Sequence, residues 1–345
     1  MYIDNSREAI KYVKFEKKKE KKMNIQKTLC CAAVLALSNV TTSTSALAAD
    51  DVNVAYFLEW ATPNLVAKAN GDYDEAMGVN LNWTNFTTGT AMTEAMLSGD
   101  IDIAYSQGLA PFVTAIQQGA PLKMIGIAVV YEANDCFVRD GLGIDSSNAT
   151  ELEGRTVAVP LNTMADYAFR RYMTYLDVDI STMTIVDQAP PDGAKSLQDS
   201  AVDMACVFGG LASKEAGEAG TAIMNTQQKK DAGIGSFDVV TTTEEFATKN
   251  PELLRSFMEV TEEANVSFSG SDAEFVTLAS EAGMGNETTR IQYAGISTPS
   301  ADEQITDYFS ANGIAATAAA SLGLVFSGSS DGSSIATTID GSFLE

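Results

Sequence analysis

The feature that most constrains this chain is a regular alternation of strand-like and helix-like segments that begins at Asp51. Short apolar or alternating runs are followed by helix-like runs at the intervals of βαβ units. The predicted strands are 51–58, 79–86, 99–105 and 121–131, and the predicted helices are 64–70 with an extension over 72–77, 91–98 and 111–118. This spacing favours an α/β protein with a mostly parallel sheet covered by helices.

The same pattern starts again at Asp135. It predicts strands over 135–139, 156–159, 181–187, 202–208 and 237–242, and helices over 163–176, 194–200 and 211–219, with Pro190 and Pro191 in a loop. From Glu244 onward the chain reads as helical, mainly over 251–268, 272–283 and 301–309. We expect these helices to return to the first unit. Two chain crossings, near 132–134 and 233–236, then predict lobe 1 (50–134 plus 237–345), lobe 2 (135–236) and a cleft between them.

Ligands of open α/β sheets lie at the carboxyl ends of the strands. Those ends correspond to the loops 59–63, 106–108, 162–165 and 208–210. The most informative stretch is 154–172, GRTVAVPLNTMADYAFRRY, which reads as a strand, a tight loop and a helix beginning at Thr163 or Met164. Thr163 and Asp166 have the spacing of a capping box. The remaining N–H groups of the first turn could face an anion, although the segment could equally be an ordinary strand–loop–helix unit.

Residues 1–49 have the pattern of an export signal. Lys27 precedes an apolar run from Leu29 to Leu37, and small residues end the segment at Ala48 and Ala49. This is the three-part pattern of a secretory signal, and its apolar run is too short to span a membrane. Met23 is a more plausible initiator than Met1, because KKKEKK lies between them. We therefore predict an exported protein that is cleaved near Ala48–Ala49.

Charge and residue usage narrow the function further. Residues 1–49 carry nine Lys and Arg and four Asp and Glu, so the mature chain keeps 13 of the 22 basic and 42 of the 46 acidic residues. A net charge near −29 repels nucleic acid and anionic membranes. The chain contains no histidine, which removes histidine-based catalysis and most zinc sites. Cys136 and Cys206 could form a disulfide after export or remain as buried thiols.

Several sequence blocks carry a resemblance to a known family. The most telling is 98–128, SGDIDIAYSQGLAPFVTAIQQGAPLKMIGIA. The others, in the same order and spacing, are ELEGRTVAVP (151–160), VDQAPPDGAKSLQDSAVDMACVF (186–208), FDVVTTTEEFATKNPELLRSF (237–257) and SADEQITDYF (300–309). Together they resemble the periplasmic substrate-binding proteins of ABC importers, in particular the taurine and alkanesulfonate group. The resemblance covers almost the whole mature chain.

This resemblance implies a type II periplasmic-binding-protein fold, with two lobes that close on a small solute in the interlobe cleft. It implies a periplasmic, monomeric protein that is not an enzyme, needs no cofactor, and presents taurine or a similar zwitterion to a permease in the inner membrane. A relative with this fold makes the thiamine pyrimidine from its own histidine and a bound vitamin cofactor. A chain without histidine cannot perform that chemistry.

Two groups of residues are candidates for the two ends of the ligand. Asp238, in FDVV, matches the position where the family carries an aspartate for the ligand's amine. A carboxylate can pair there with an ammonium group, or it could be a solvated Asp at a strand edge. Asn162, Thr163, Met164 and Ala165 could bind a sulfonate or carboxylate through backbone N–H groups and a hydroxyl. The family loop is richer in hydroxyls, and Asp166 would either cap the helix or weaken an anion site.

A second arrangement remains open as the alternative function. Glu59 and Trp60, with Tyr105, Phe208 and Asp135, could form an acidic aromatic cage for a quaternary ammonium, sulfonium or other amine osmolyte. Trp60 and Phe208 could instead be apolar walls and Glu59 a surface charge. Gln107 could donate to an oxyanion or only complete a turn.

Overall fold

Two mixed β-sheets, each flanked by helices, form the framework of the protein in the computed structural model, which describes residues 51–132, 134–232, 235–311, 313–328 and 333–345. The predicted α/β class is confirmed. The predicted export signal lies outside the described residues, as does part of each predicted chain crossing. The division into lobes at 134 and 237 remains a proposal.

The strands, numbered in chain order, are β1 (Asp51–Phe57), β2 (Asn80–Phe86), β3 (Ile103–Gly108), β4 (Leu122–Glu132), β5 (Asp135–Arg139), β6 (Thr156–Val159), β7 (Thr184–Asp187), β8 (Met204–Val207), β9 (Gly220–Ala222), β10 (Gly235–Thr243) and β11 (Ile296–Ser297). The helices are α1 (Asn64–Asn70), α2 (Asp72–Met77), α3 (Gly89–Ser98), α4 (Leu109–Gln117), α5 (Met164–Tyr175), α6 (Pro190–Gln198), α7 (Gly210–Ala219), α8 (Thr226–Asp231), α9 (Glu244–Lys249), α10 (Pro251–Ser267), α11 (Asp272–Glu281), α12 (Asn286–Tyr293), α13 (Ala301–Glu303), α14 (Ile314–Ser327) and α15 (Ser333–Ala336). Short 3₁₀ turns occur at Ala149–Leu152, Ile180–Thr182 and Gly341–Phe343, and a π-helical turn at Gln304–Tyr308.

The first sheet has the order β11-β4-β10-β3-β1-β2. Strands β1, β2 and β3 pair in parallel, whereas β10 is antiparallel to both β3 and β4, and β11 is antiparallel to β4. Strands β1 to β4 therefore point in one direction, as the βαβ spacing predicts. The return of the chain through β10 between β3 and β4 makes the sheet mixed, which helix and strand periodicity alone did not indicate.

The second sheet has the order β7-β6-β8-β5-β9. Strands β7, β6 and β8 pair in parallel, and β5 is antiparallel to both of its neighbours. Cys136 of β5 and Cys206 of β8 lie directly opposite each other and form a disulfide. Both residues are buried. Of the two alternatives that the sequence left open, a disulfide or two buried thiols, the structure has the disulfide.

Most predicted elements agree with the structure to within a few residues, and the differences have local causes. Gly71 adopts a left-handed conformation (φ 80°), so α1 and α2 are separate helices rather than one. Strand β3 runs through Gly108, so Ser106 and Gln107 belong to a strand and not to a loop. Helix α6 begins at Pro190, because proline is tolerated in the first helical turn where its missing N–H has no partner to lose.

Candidate functional site

A narrow pocket lies where the carboxyl ends of strands from both sheets meet. Its lining combines residues at or just after the ends of β1, β2, β3 and β4, and one residue of β10, all of the first sheet, with residues that follow β6 and β8 of the second. The lining residues are Phe57, Trp60, Gly89, Gly108, Pro111, Tyr131, Asn134, Thr163, Met164, Phe208 and Asp238. This placement follows the rule for ligand sites in open α/β sheets.

Asp238 supplies the carboxylate of this pocket. It lies on β10 and is only 4% exposed. The hydroxyl of Ser106 donates to its Oδ2 at 2.9 Å, and the phenol of Tyr131 donates to its Oδ1 at 3.0 Å. Both donors are neutral, and among the described residues no basic side chain forms an ion pair with it.

Burial raises the pKa of Asp238 to about 7, and the hydrogen bonds from Ser106 and Tyr131 hold the pKa below the value that burial alone would give. A carboxylate in this position is stabilised in its charged form by any cation that enters the pocket. Among the described residues Asp238 thus has no cationic partner, and a positively charged ligand group could provide one.

Aromatic rings form the walls around this carboxylate. The ring of Tyr131 meets that of Trp60 edge to face at 5.1 Å, and Phe57 meets Phe208 edge to face at 5.9 Å. Trp60 is buried, and its indole N–H finds no acceptor among the described residues. A buried donor without a partner costs free energy unless a ligand or water accepts its hydrogen bond.

Three helices begin at the pocket. Gly89 is the first residue of α3, Gly108 is the N-cap of α4, and Thr163 is the N-cap of α5. They approach closely, since a Cβ on Gly108 would lie 3.3 Å from Cγ of Met164. The first-turn N–H groups of a helix have no intrahelical acceptor, and the helix dipole makes that end positive. One buried carboxylate thus faces a space onto which three positive helix ends converge.

The start of α5 agrees with the capping prediction. Thr163 accepts a hydrogen bond from the N–H of Asp166 at 3.4 Å, and Asp166 accepts one from the N–H of Asn162 at 2.9 Å. The Nε of Arg170 also lies 2.8 Å from Asp166 Oδ1. Burial raises the pKa of Asp166, while Asn162 and Arg170 oppose that rise. Thr163 therefore caps the helix, and the charge of Asp166 is met locally by Asn162 and Arg170 rather than directed at the pocket.

The other candidates near α5 differ in their positions. Met164 lines the pocket, and Ala165 is buried behind it in the first helical turn. Asn162 has a positive φ of 58°, is exposed, and faces a different surface groove beside α3 and α4. Of the four residues proposed for the anion, only Thr163 and Met164 therefore reach the pocket with their side chains.

Two candidates from β3 lie in the core instead of at the pocket. Tyr105 is 1% exposed, and its phenol donates to the carbonyl of Ala128 at 3.3 Å. Gln107 is fully buried, where its amide donates to Thr93 and accepts from Thr241. Because β3 continues through these positions, their side chains point into packed layers. Gln107 ties α3 to β10 within the core, away from the pocket.

The two acidic residues of the proposed cage, Glu59 and Asp135, already have partners within the protein. The Glu59 carboxylate accepts hydrogen bonds from backbone N–H groups of α7. Asp135 pairs with Lys229 at 2.7 Å in a larger outer space that adjoins the pocket through Trp60, Tyr131, Asn134 and Phe208. Burial raises the pKa of Asp135, and Lys229 opposes that rise. Of the cage residues, Trp60 and Phe208 line the inner pocket.

The sequence reasoning missed two residues that hold Asp238 in place. The sequence places Ser106 in the predicted loop 106–108 but gives it no individual role, and it indicates Tyr131 only as the end of an apolar strand. Tyr131 ends a strand that points at the same sheet edge as the predicted loops. The rule for strand carboxyl ends could have identified it.

Comparison with known proteins finds one matching family model and one similar curated protein. A family model described as NMT1/THI5 like matches residues 60–267. The taurine-binding periplasmic protein of Escherichia coli K12 is 26% identical over 230 residues, which cover 65% of this chain and 70% of that protein.

Solved structures show the same fold. The alkanesulfonate-binding protein of Xanthomonas axonopodis pv. citri, solved with MOPS, superposes with a TM-score of 0.66 at 17% identity, covering 85% of this chain and 99% of that one. The aliphatic sulphonate-binding protein of Escherichia coli gives a TM-score of 0.63 at 18% identity, covering 81% and 87%.

The fold and the pocket between its two sheets thus define a protein with the periplasmic-binding-protein fold. The chain belongs to the NMT1/THI5-like family, whose model matches more than half of its length. The resemblance seen in the sequence is confirmed. Within the described residues, no helix has the length and apolar character needed to cross a membrane.

Proposed function

We propose that this protein is an exported solute-binding protein that captures taurine or a closely similar zwitterionic sulfonate and delivers it to an ABC importer. The observation that carries the proposal is Asp238, a buried carboxylate at the pocket with only neutral hydrogen-bond donors around it. An ammonium group would provide the charge that this carboxylate lacks. It would also lower the pKa of Asp238 and so favour the ionised form.

The helix starts that line the same pocket suit the sulfonate. Helices α3, α4 and α5 begin there, and their first-turn N–H groups favour an anion. The unpaired indole N–H of Trp60 is a further donor. A zwitterion with its two charges a few ångströms apart fits one buried negative group and several positive helix ends better than a simple anion or cation does.

The relatives support the transport role. The curated relative is named as a taurine-binding periplasmic protein, and the structural neighbours are named as sulfonate-binding proteins. In this role the protein acts as a monomer, needs no cofactor, performs no catalysis and hands its solute to a membrane permease. A ligand that contacts residues from both sheets would stabilise the closed arrangement by differential affinity.

Calorimetric titration of the mature chain tests the proposal. Taurine carries both charges, ethanesulfonate carries only the sulfonate, and ethylamine carries only the ammonium group. We expect taurine to bind at least about a hundredfold more tightly than either half, because each half leaves one end of the pocket unpaired. Ethanesulfonate binding as tightly as taurine, or no taurine binding at all, would contradict the proposal.

The osmolyte alternative retains one supporting observation. Phe57, Trp60, Tyr131 and Phe208 surround the same carboxylate, and aromatic faces attract methylated cations. Titration with glycine betaine distinguishes the two functions. If the protein binds betaine, and Trp60→Ala abolishes that binding while sparing taurine, the cage is the physiological site.

A further inference from the structure

The carboxylate of Glu59 joins two parts of the molecule that belong to different sheets. Glu59 follows β1 of the first sheet, and α7 follows β8 of the second. Its Oε2 accepts hydrogen bonds from the N–H groups of Leu211 at 3.1 Å and Ala212 at 3.2 Å. Its carbonyl accepts from the N–H of Gly210 at 3.0 Å. One residue therefore receives three successive N–H groups at the start of α7.

Helix α7 has no cap of its own. Its N-cap is Gly209, no side chain of the cap residue bonds to the helix, and its first turn contains no acidic residue. In contrast, α3 and α5 are capped by the adjacent Thr88 and Thr163. A helix of ten residues whose first N–H groups lack a local acceptor favours an anion from elsewhere. Glu59 is that anion.

Glu59 is held firmly for this contact. It has a positive φ of 60°, which is unfavourable for a residue with a side chain. Its N–H donates to the carbonyl of Ala282 at 2.7 Å. The amide of Gln292 donates to the carbonyl of Glu59 at 2.8 Å and accepts from the N–H of Ala61 at 2.6 Å. These bonds fix the loop on both sides of Trp60.

The two surfaces also meet closely beside this contact. A Cβ on Gly210 would lie 2.4 Å from Sδ of Met284 and 3.1 Å from Cγ2 of Thr288. Met284 lies two residues before α12, which carries both Thr288 and Gln292. The start of α7 therefore rests against the α12 region only because residue 210 has no side chain. Glu59 and this contact form one continuous junction between the two sheets, beside the outer space that adjoins the pocket.

We propose that Glu59 is a latch: its carboxylate caps α7 from across the cleft, holds the two sheets together when no solute is bound, and positions Trp60 against the pocket. The latch consists of backbone N–H donors and a single side chain, so it does not depend on which solute the protein carries. A failure of taurine binding would leave this inference untouched. Loss of the latch shifts the protein towards an open form and speeds the loss of any bound ligand.

A single-tryptophan background makes the latch measurable. The chain has two tryptophans, and Trp83 packs against Tyr56, Tyr73 and Phe257 away from the pocket. Trp83→Phe leaves Trp60 as the sole reporter. In this background we compare Glu59→Ala, Glu59→Gln and, as a charge-matched control, Glu215→Ala. Glu215 is an exposed residue of α7 whose side chain makes no hydrogen bond or ion pair within the described chain.

Small-angle scattering and Trp60 emission are measured on the ligand-free proteins. We expect Glu59→Ala to raise the open fraction by about tenfold, seen as a larger radius of gyration and red-shifted emission, because two charge-assisted hydrogen bonds are lost. Glu59→Gln keeps one acceptor oxygen, so its shift should be smaller, and this variant also serves if the alanine variant folds poorly. Scattering and emission of both Glu59 variants identical to those of Glu215→Ala would overturn the latch.

Discussion

The phenol of Tyr131 donates a 3.0 Å hydrogen bond to Oδ1 of Asp238, while its ring meets Trp60 edge to face. One side chain therefore connects the acidic end of the pocket to its aromatic wall. Burial raises the pKa of Tyr131, which keeps its phenol neutral, and raises the pKa of Asp238 to about 7, so that Asp238 changes its charge near neutral pH. The charge of a bound ligand should therefore change the protonation of Asp238 more than any other property of the site.

The affinity for taurine should depend on pH through Asp238. Its pKa in the ligand-free protein is about 7, and an ammonium group requires the ionised form. Binding should therefore be about tenfold weaker at about pH 6 than at about pH 8, in proportion to the ionised fraction. Ethanesulfonate should show no such loss at low pH, since it lacks the cation. Titration calorimetry across this range gives both curves, and parallel curves would contradict the pairing.

Replacing Tyr131 with Phe should raise the pKa of Asp238 further, because one of the two hydrogen bonds that stabilise its ionised form is lost. We expect taurine affinity at about pH 7 to fall about threefold to tenfold and to recover at about pH 8.5. The free energy of unfolding should fall by only about 1 kcal/mol, since the ring is retained. Ser106→Ala should act in the same direction. A loss that does not recover at high pH would mean that Tyr131 contacts the ligand directly.

Part of this site could be read from the sequence, and part could not. Residues 163 and 238 were placed by strand order, capping chemistry and family position, and they do line one pocket. These signals are local or follow directly from topology. Gln107 lies in the core and not in a loop because β3 continues through buried polar residues to Gly108, and composition does not locate such a strand end. Tyr105 lies in the predicted strand, but its side chain is directed into the core.

The role of Glu59 could not be predicted for a different reason. An acid beside a tryptophan reads as a ligand-binding pair, and its partner is a helix that begins 151 residues later in the chain. The uncapped state of α7 is visible in Gly209 and Gly210, but the sequence does not show which residue supplies the missing cap. The sequence likewise did not predict that the first sheet is mixed, because this depends on β10 lying between β3 and β4.

A methyl group at position 108 should reduce the pocket without disturbing the fold. A Cβ on Gly108 would lie 3.3 Å from Cγ of Met164 and from Cδ of Pro111, and 3.7 Å from Oδ1 of Asp238. Gly108 has an ordinary φ of −58°, so alanine adds no backbone strain. We expect Gly108→Ala to weaken taurine binding by at least about tenfold. Its thermal midpoint should change by less than about 2 °C, which corresponds to roughly 1 kcal/mol for a chain of this length. Unchanged affinity would place the ligand away from the three helix starts.

The disulfide between Cys136 and Cys206 should contribute to stability. It closes a 70-residue separation in the chain, and a bond of this kind limits the freedom of the unfolded state. The double variant Cys136→Ser, Cys206→Ser should lose about 2–4 kcal/mol of unfolding free energy in denaturant titrations. The unmodified protein in reducing agent serves as the matched comparison. Two titratable thiols in the exported, unreduced protein would show that the bond does not form.

The most direct test of the central claim compares two ligands on Asp238→Asn. The amide keeps the shape of the side chain but cannot pair with an ammonium group. We predict that taurine affinity falls by at least about a hundredfold while ethanesulfonate affinity stays the same or increases. Asp135→Asn, which removes a carboxylate already paired with Lys229 outside the inner pocket, is the matched control. Equal losses for taurine and ethanesulfonate on Asp238→Asn would contradict the account.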